Sequence, residues 1–437
     1  MIYKAKYIVP MDGNIIENGE ILVRNGTIKV IGTDISGLFP NTRVCDFGNA
    51  VLLPGFVNAH SHIDYTLRRN SQDGLSLWDW IGRLGFRKNV IPEYETVLAS
   101  AMLGAAECVC SGITCLGDSS FSGIAAEAME SAGLRGIVYR EIFGQSMGED
   151  YEERFKHALD AVVYAQAKSP QRLKIGLSPH SIYTTNENVF KLCANSCAEL
   201  EIPISLHLAE TQAEIDYILH GVGSIAEWRR ELGYEVMVKG ITPARYLSEI
   251  GLLQKGVCLA HCVFVSEEEI GLIAASGASV AHCPRSNAYL GTGIAPFIDL
   301  IESGVTVGIG TDSAGSCMRI DFFEEMRFVL GIHRALSKEA STILAKDVLK
   351  QATIGGAEAL GLSDITGTLE AGKRADVIAI DLNGMLPGED IYLSIISSSP
   401  SDVVFVMVDG EEIAGKGRQA KLDINECRTV LKKCMEH

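Results

Sequence analysis

No two of the twelve cysteines stand in Cys-x-x-Cys spacing, so the chain offers no zinc-ribbon pair. Several of them (Cys108, Cys115, Cys193, Cys258 and Cys262) sit inside apolar runs, where reduced buried thiols are expected. No stretch of about 18 residues is uniformly apolar, and no membrane span is expected. The apolar segment at residues 7–11 is too short for a signal-peptide core and lacks a small-residue cleavage site. The cytoplasm is therefore the expected compartment. Positive charge is in deficit: the net charge of −17 argues against a nucleic-acid partner. Low-complexity segments are missing too. Histidine is scarce, ten in 437 residues, so its placement carries information.

What is present falls into three zones. Residues 1–50 alternate polar and apolar, with Asn25-Gly26 as a hairpin signal, and predict a small antiparallel sheet. From residue 51 short apolar runs alternate with helical periodicity, the pattern of βα units. Eight runs are countable: 51–58, 113–118, 136–143, 174–180, 203–210, 257–265, 279–287 and 305–313. Helical patterns lie between them, at 94–110, 123–132, 151–167, 187–199 and 266–275, and follow them at 322–336 and 341–352. Eight strands with interposed helices predict an α/β fold, a closed (β/α)8 TIM barrel. Beyond residue 364 strand and turn character returns, ending in a charged helix at 421–437. The expected organisation is a barrel over residues 51–364 and a composite β domain, a small β-sandwich, from residues 1–50 and 365–437.

Function in such a barrel collects at the C-terminal ends of the strands. The first run ends in His60 and His62, two apart and so on one face of a strand. The fourth ends in His180, the fifth in His207 and Glu210, and the eighth in Asp312; the sixth carries His261 and the seventh His282. Six of the ten histidines thus fall at strand ends, a bias that core packing does not explain. Three histidines and a carboxylate suit one divalent metal with a position left for water. Zinc leads, with iron, manganese and nickel as alternatives. Such an ion lowers the pKa of its water towards neutrality.

The chain resembles the amidohydrolase superfamily, in its branch of mononuclear nucleobase and nucleoside deaminases and chlorohydrolases. The resemblance covers nearly the whole length. It rests on Pro54-Gly55-Phe56-Val57-Asn58-Ala59-His60-Ser61-His62, Ser178-Pro179-His180-Ser181, His207-Leu208-Ala209-Glu210-Thr211, Ala260-His261-Cys262-Val263, Ala281-His282-Cys283-Pro284-Arg285-Ser286-Asn287 and Gly310-Thr311-Asp312-Ser313. Gly367-Thr368-Leu369-Glu370-Ala371-Gly372 looks like that family's return to its composite β domain. The resemblance implies that His60, His62, His207 and Asp312 bind the metal. It implies that Asp312 also takes a proton from the attacking water, that Glu210 donates one to the substrate's ring nitrogen, and that His261 orients the nucleophile. His180 and Arg140 would contact substrate. Asn287 and Arg285 could do so or could structure their loop, and His282 would support the site by hydrogen bonding. Dinuclear relatives carry a carbamylated lysine at the end of strand four; here His180 stands there, which implies one metal. The zinc-dependent cytidine-deaminase pattern is excluded, because Cys283-Pro284-Arg285 reverses its order and lacks the second cysteine.

For the substrate, the resemblance implies a hydrolytic deaminase taking a 6-amino purine nucleoside to its 6-oxo product and ammonia. Methylthioadenosine and S-adenosylhomocysteine deaminases usually carry a ribose-binding glutamate after the first strand. Residues 81–91 contain no acid here, while Arg83, Arg87 and Lys88 would suit a substrate carboxylate. Trp80-Ile81 at the end of the strand-one loop, Tyr139-Arg140-Glu141-Ile142-Phe143-Gly144 and His282-Cys283-Pro284-Arg285-Ser286-Asn287 together look most like aminodeoxyfutalosine deaminases of the futalosine route to menaquinone. Methylthioadenosine/S-adenosylhomocysteine deaminase is the alternative, followed by guanine or cytosine deaminase, a chlorohydrolase, and last a non-catalytic binding protein. A small-molecule nucleoside partner and, at family level, a homodimer are expected.

Overall fold

The computed structural model describes residues 1–83, 93–144, 150–384, 388–415 and 421–436. Five strands open the chain: β1 (Ile2–Ile8), β2 (Ile16–Arg24), β3 (Thr27–Gly32), β4 (Val44–Asp46) and β5 (Ala50–Pro54). Eight more form the barrel: β6 (Phe56–Ser61), β7 (Ile113–Ser120), β8 (Arg135–Ile142), β9 (Leu173–Pro179), β10 (Ile204–Leu208), β11 (Val257–His261), β12 (Ser279–His282) and β13 (Thr306–Ile309). Three close the chain: β14 (Val377–Asp381), β15 (Val403–Val408) and β16 (Glu411–Gly415). Among the described residues no helix is long and apolar enough to cross a membrane.

The eight central strands pair in parallel and in chain order. At the remaining seam the backbone N–H groups of Thr311 and Asp312 both donate to the His60 carbonyl, each at 3.0 Å. The Asn58 amide completes it, giving a hydrogen bond to Thr311 Oγ1 (2.8 Å) and accepting one from the Thr311 N–H (3.0 Å). The fold is thus an α/β TIM barrel with its ring drawn shut next to the first histidine.

The run read as one strand over 51–58 is two. β5 pairs with β1 and β14 of the outer sheet, and β6 opens the barrel. Gly55 separates them, and any β-carbon there would collide with the Thr114 side chain. Chain ends combine in a mixed sheet of order β16-β15-β14-β5-β1-β2-β3, with β4 beside β1. Tyr3 on β1 and Phe405 on β15 are three ladder steps apart, roughly 14 Å in a flat sheet. Their ring centroids lie at 5.4 Å, so the sheet is curled and its two arms face each other. Its opposite face, with Val51, Leu53, Ile378 and Val406, joins the apolar layer around the barrel. Arg135, at the start of β8, pins the two bodies together through Asp376 (2.6 Å) and Asp409 (2.8 Å).

Strand alternation decides which side chains enter the barrel. On β8, Ile137 and Tyr139 pack inside with Val57, Cys115 and Leu360, whereas Val138 and Ile142 join the outer layer. Glu141 therefore lies on the inner side and Arg140 on the helix side. On β6, Ala59 packs inside with Cys258 and Ala281. Strict alternation would then turn His60 outward. A bulge prevents it: Asn58 pairs with Leu116 and Ser61 with Asp118, three steps on β6 against two on β7. The extra residue flips the parity and aims His60 and His62 inward, a known use of bulges.

Candidate active site

The upper mouth of the barrel gathers His60, His62, His207, His261, Glu210 and Asp312. Ring nitrogens of His60, His62 and His207 all lie within 4.8 Å of one another, and all three rings are buried. His207 Nδ1 lies 3.0 Å from the His180 carbonyl, an acceptor, so its proton is on Nδ1 and its Nε2 lone pair points into the site. Nε2 of His62 lies only 3.2 Å from Nε2 of His207. His60 Nε2 is buried without any hydrogen-bond partner. Asp312 completes the group. Its Oδ2 accepts from Ser286 Oγ (2.5 Å) and Ser316 Oγ (2.8 Å), leaving Oδ1 to face His62 Nε2 (3.5 Å) and His60 Nε2 (4.0 Å).

Four donor atoms thus converge with their lone pairs inward, a set that suits a borderline-soft divalent cation. Their protonation agrees. Burial, reinforced by the neighbouring imidazoles, pushes the His60 pKa well down, and burial takes His62 down to about 4 against the pull of Asp312. Burial would raise the Asp312 pKa, but His62, His261 and the Ser286 hydroxyl outweigh it and the net shift is down. Neutral imidazoles and an ionised carboxylate are the forms that ligate.

His261 reaches the site by backbone strain. The neighbouring β11 residues Val257 and Leu259 pack outward, so alternation alone would send His261 outward too. Its φ of +74° turns it in; Ala209 (+51°) and Asp312 (+59°) use the same left-handed region at neighbouring strand ends. Non-glycine residues held there cost about 1–3 kcal/mol each, and such strain clusters at functional sites. Asn287 fixes the ring: its amide donates to His261 Nδ1 at 3.0 Å and to Thr292 at 3.1 Å, which leaves the imidazole proton on Nε2. Burial lowers the His261 pKa to about 3, so the ring is neutral.

Glu210 lies 3.6 Å from His261 Nδ1. Burial, then the nearby carboxylates of Asp312 and Glu214, push its pKa well up. Sequence reasoning had no means to see its support. Glu214, one helical turn on, accepts the backbone N–H of Ala209 (3.0 Å) and of Glu210 (3.1 Å). Asp118 likewise went unnoticed; it holds the histidine loop by accepting from Ser61 Oγ (2.6 Å) and Ile63 N–H (2.8 Å).

The remaining expectations fall as follows. The Nδ1 of His180 lies beside the hydroxyls of Thr184 (3.0 Å) and Ser181 (3.2 Å), and its ring centroid is 4.6 Å from that of His207. Arg140, on the helix side of β8, is half-buried and makes no ion pair with a described residue. Arg285 is a loop-structuring residue, bound to the Cys317 carbonyl (2.6 Å), Glu324 and Glu325. His282 does not support the site: alternation turns it outward, where its Nε2 meets Nε2 of His333 at 2.9 Å. Arg87 and Lys88 lie outside the described residues, as does the side chain of Arg83. Trp78 pairs edge-on with Trp228 (5.0 Å) and Tyr183 (6.0 Å), while Trp80 is buried against Leu77 and Leu290. Glu141, which enters the sequence reading only as part of the Tyr139–Gly144 stretch, is buried on the inner side of β8. Burial, then Asp64 and Asp118, push its pKa well up. The inner-side alternation of 137, 139 and 141 was the available signal.

Comparison with known proteins agrees with this arrangement. The family model for the amidohydrolase family matches residues 51–413. A 5-methylthioadenosine/S-adenosylhomocysteine deaminase of Syntrophomonas wolfei is 33% identical over 95% of this chain and 93% of its own length. The zinc-bound structure of an adenosine deaminase from Xanthomonas campestris superposes with a TM-score of 0.85 at 26% identity, covering 100% of this chain and 97% of the other. Helicobacter pylori aminofutalosine deaminase, in complex with methylthio-coformycin, has a TM-score of 0.81 at 22% identity over 94% of this chain and 99% of its own, a likeness of fold.

Proposed function

The chain belongs to the amidohydrolase family and is a hydrolytic deaminase acting on C–N bonds; from that premise we propose that its substrate is a 6-amino purine nucleoside with a 5′-thio substituent, of the methylthioadenosine and S-adenosylhomocysteine kind. The observation that carries the chemistry is the buried Glu210, its pKa pushed well up, held 3.6 Å from His261 at the edge of the three-histidine and Asp312 cluster. A proton donor beside a water-activating group is what hydrolysis of a cyclic amidine needs. Support for the substrate class comes from deaminases of that name, 31–33% identical over more than nine-tenths of the chain.

In this reading His60, His62, His207 and Asp312 hold one divalent ion, with zinc as the first candidate. When bound, that ion supplies a hydroxide at neutral pH. Asp312 Oδ1 receives the proton that water gives up. His261, neutral and locked by Asn287, donates from Nε2 to the oxygen as it adds to the ring carbon. Glu210 protonates the adjacent ring nitrogen, which neutralises the tetrahedral centre. The proton on Asp312 then passes to the amino group, which leaves as ammonia as the C–N bond breaks, while the hydroxyl proton of the tetrahedral centre passes to Glu210, giving the 6-oxo product and restoring the acid. His180 packs along the base.

A second reading has one specific support. Arg140, half-buried at the end of β8 with its guanidinium reaching Gly123 in the loop after β7, would suit a substrate carboxylate at the rim of the barrel, as in the benzoate of aminodeoxyfutalosine. A panel separates the two. Zinc-loaded protein is given adenosine, methylthioadenosine, S-adenosylhomocysteine and aminodeoxyfutalosine, and loss of the 6-aminopurine chromophore is followed. Highest kcat/KM on the thio-nucleosides is expected, abolished in Glu210→Gln. Highest kcat/KM on aminodeoxyfutalosine would move the assignment to the second reading. Turnover of none, from metal-loaded protein, would overturn both.

A further inference from the structure

Two short helices, Pro284–Tyr289 after β12 and Ala314–Cys317 after β13, each bring one fully buried serine to Asp312. Ser286 Oγ and Ser316 Oγ both donate to its Oδ2, at 2.5 Å and 2.8 Å. Ser316 Oγ also lies 3.2 Å from the Ser313 carbonyl, but its single proton goes to the shorter, charged partner. Ser313 Oγ, 3.1 Å from Ser316 Oγ, then donates to it and holds that orientation. A carboxylate oxygen has two lone-pair positions. Both of those on Oδ2 are taken, whereas Oδ1 faces the ring nitrogens of His62 and His60 with both of its own. Arg285 fixes the spacing of the two hydroxyls. It precedes Ser286 in the chain and reaches the carbonyl of Cys317, the residue after Ser316, at 2.6 Å. Its own backbone N–H is held by Glu325 at 3.1 Å.

We propose that Ser286 and Ser316 are positioning residues that clamp Oδ2, so that Asp312 serves both the ion and the attacking water through Oδ1 alone. One lone pair of Oδ1 is then left for the ion and the other for the proton that the water gives up. The backbone of Asp312 is already fixed, because its N–H is bonded to the His60 carbonyl. The serines remove the last freedom, rotation of the carboxylate itself. Released, the carboxylate would turn Oδ2 onto the ion as a further ligand, at the place a hydrolytic site keeps for water. The clamp therefore adds nothing to metal affinity; it holds a coordination position open. Its role rests on the metal and deaminase reading above; the doubly held oxygen does not.

The test compares the full-length wild type with Ser286→Ala, Ser316→Ala and the double variant, each loaded with one equivalent of zinc or of cobalt(II). Each single variant keeps one donor on Oδ2 and is expected to lose roughly 10-fold in kcat. The double variant should lose more than the product of the two, beyond roughly 100-fold, with KM little changed. Its visible cobalt absorption should weaken as a further oxygen joins the ion. Its zinc affinity, measured in competition with a chromophoric chelator, should equal or exceed that of the wild type. Loosening of the fold alone would instead weaken zinc binding and lower the melting temperature, and that pattern would overturn the proposal. So would an unchanged cobalt spectrum in the double variant. A wild type that binds cobalt and deaminates none of the panel would remove the deaminase reading and leave the clamp to stand or fall on the spectrum. A wild type that binds neither metal would remove both.

Discussion

The carboxylate of Glu214 accepts the backbone N–H of Glu210 at 3.1 Å, one carboxylate holding another in place. Its second oxygen takes the N–H of Ala209, whose left-handed backbone turns the chain from β10 into the site. Replacing Glu214 with Gln leaves one of these buried N–H groups facing an amide –NH2. The expected cost is about 1–3 kcal/mol of stability. Turnover should fall by roughly 10- to 100-fold as Glu210 loses its fixed position, with zinc content unchanged. Melting temperature, metal analysis and kcat on one variant check all three.

Removing the metal should be reversible and stabilising on return. Dialysis against a chelator is expected to abolish activity, and zinc to restore it. An ion that binds only the folded chain adds about 2.7 kcal/mol at one hundred times its Kd. The melting temperature should therefore rise with free zinc. Asp312→Ala should lose both the activity and most of that rise.

The outward pair His282 and His333 makes a prediction about acid. Burial lowers the His333 pKa from 6.5 to about 4. Neutral in the fold and free to protonate when unfolded, this ring supports the native state fully above pH 6.5, and the support is lost as pH falls towards 4. The shift corresponds to about 3 kcal/mol. Urea midpoints at pH 7.5 and pH 4.5 should drop less in His333→Gln than in the wild type.

Arg135 is nearly sealed between barrel and outer sheet. Arg135→Met leaves Asp376 buried with its main partner gone, at an expected cost of about 3–5 kcal/mol. Urea unfolding measures it. Zinc binding by the folded fraction should be unaffected, since the pair lies at the far end of β8 from the metal cluster.

Much of this site was legible because ring closure puts every strand end in one place. Once eight runs were counted, His60, His62, His180, His207, Glu210, His261 and Asp312 had to meet, whatever the helices between them did. Two kinds of feature stayed hidden. One is where alternation breaks: the bulge at residues 58–61 and the strained backbone of His261 cannot be counted from apolar periodicity, and the split of β5 from β6 at Gly55 depends on the approach of Thr114. The other is who holds whom. Glu214, Asp118 and Ser316 look like ordinary polar residues until the contacts are seen, and Arg285 and His282 carry suggestive motifs yet face elsewhere.

The outer sheet sets a timetable for the chain's birth. Leu53 on β5 pairs with Ile378 on β14, so the strand leading into the first metal-site histidine finds its neighbour only after the whole barrel has been made. During synthesis that edge of β5 stands as an open row of backbone donors and acceptors, a template for wrong pairing. Such distant pairing also slows folding. A chain cut short of β14 would keep every residue of the metal cluster and still be unable to cover the strand beneath it.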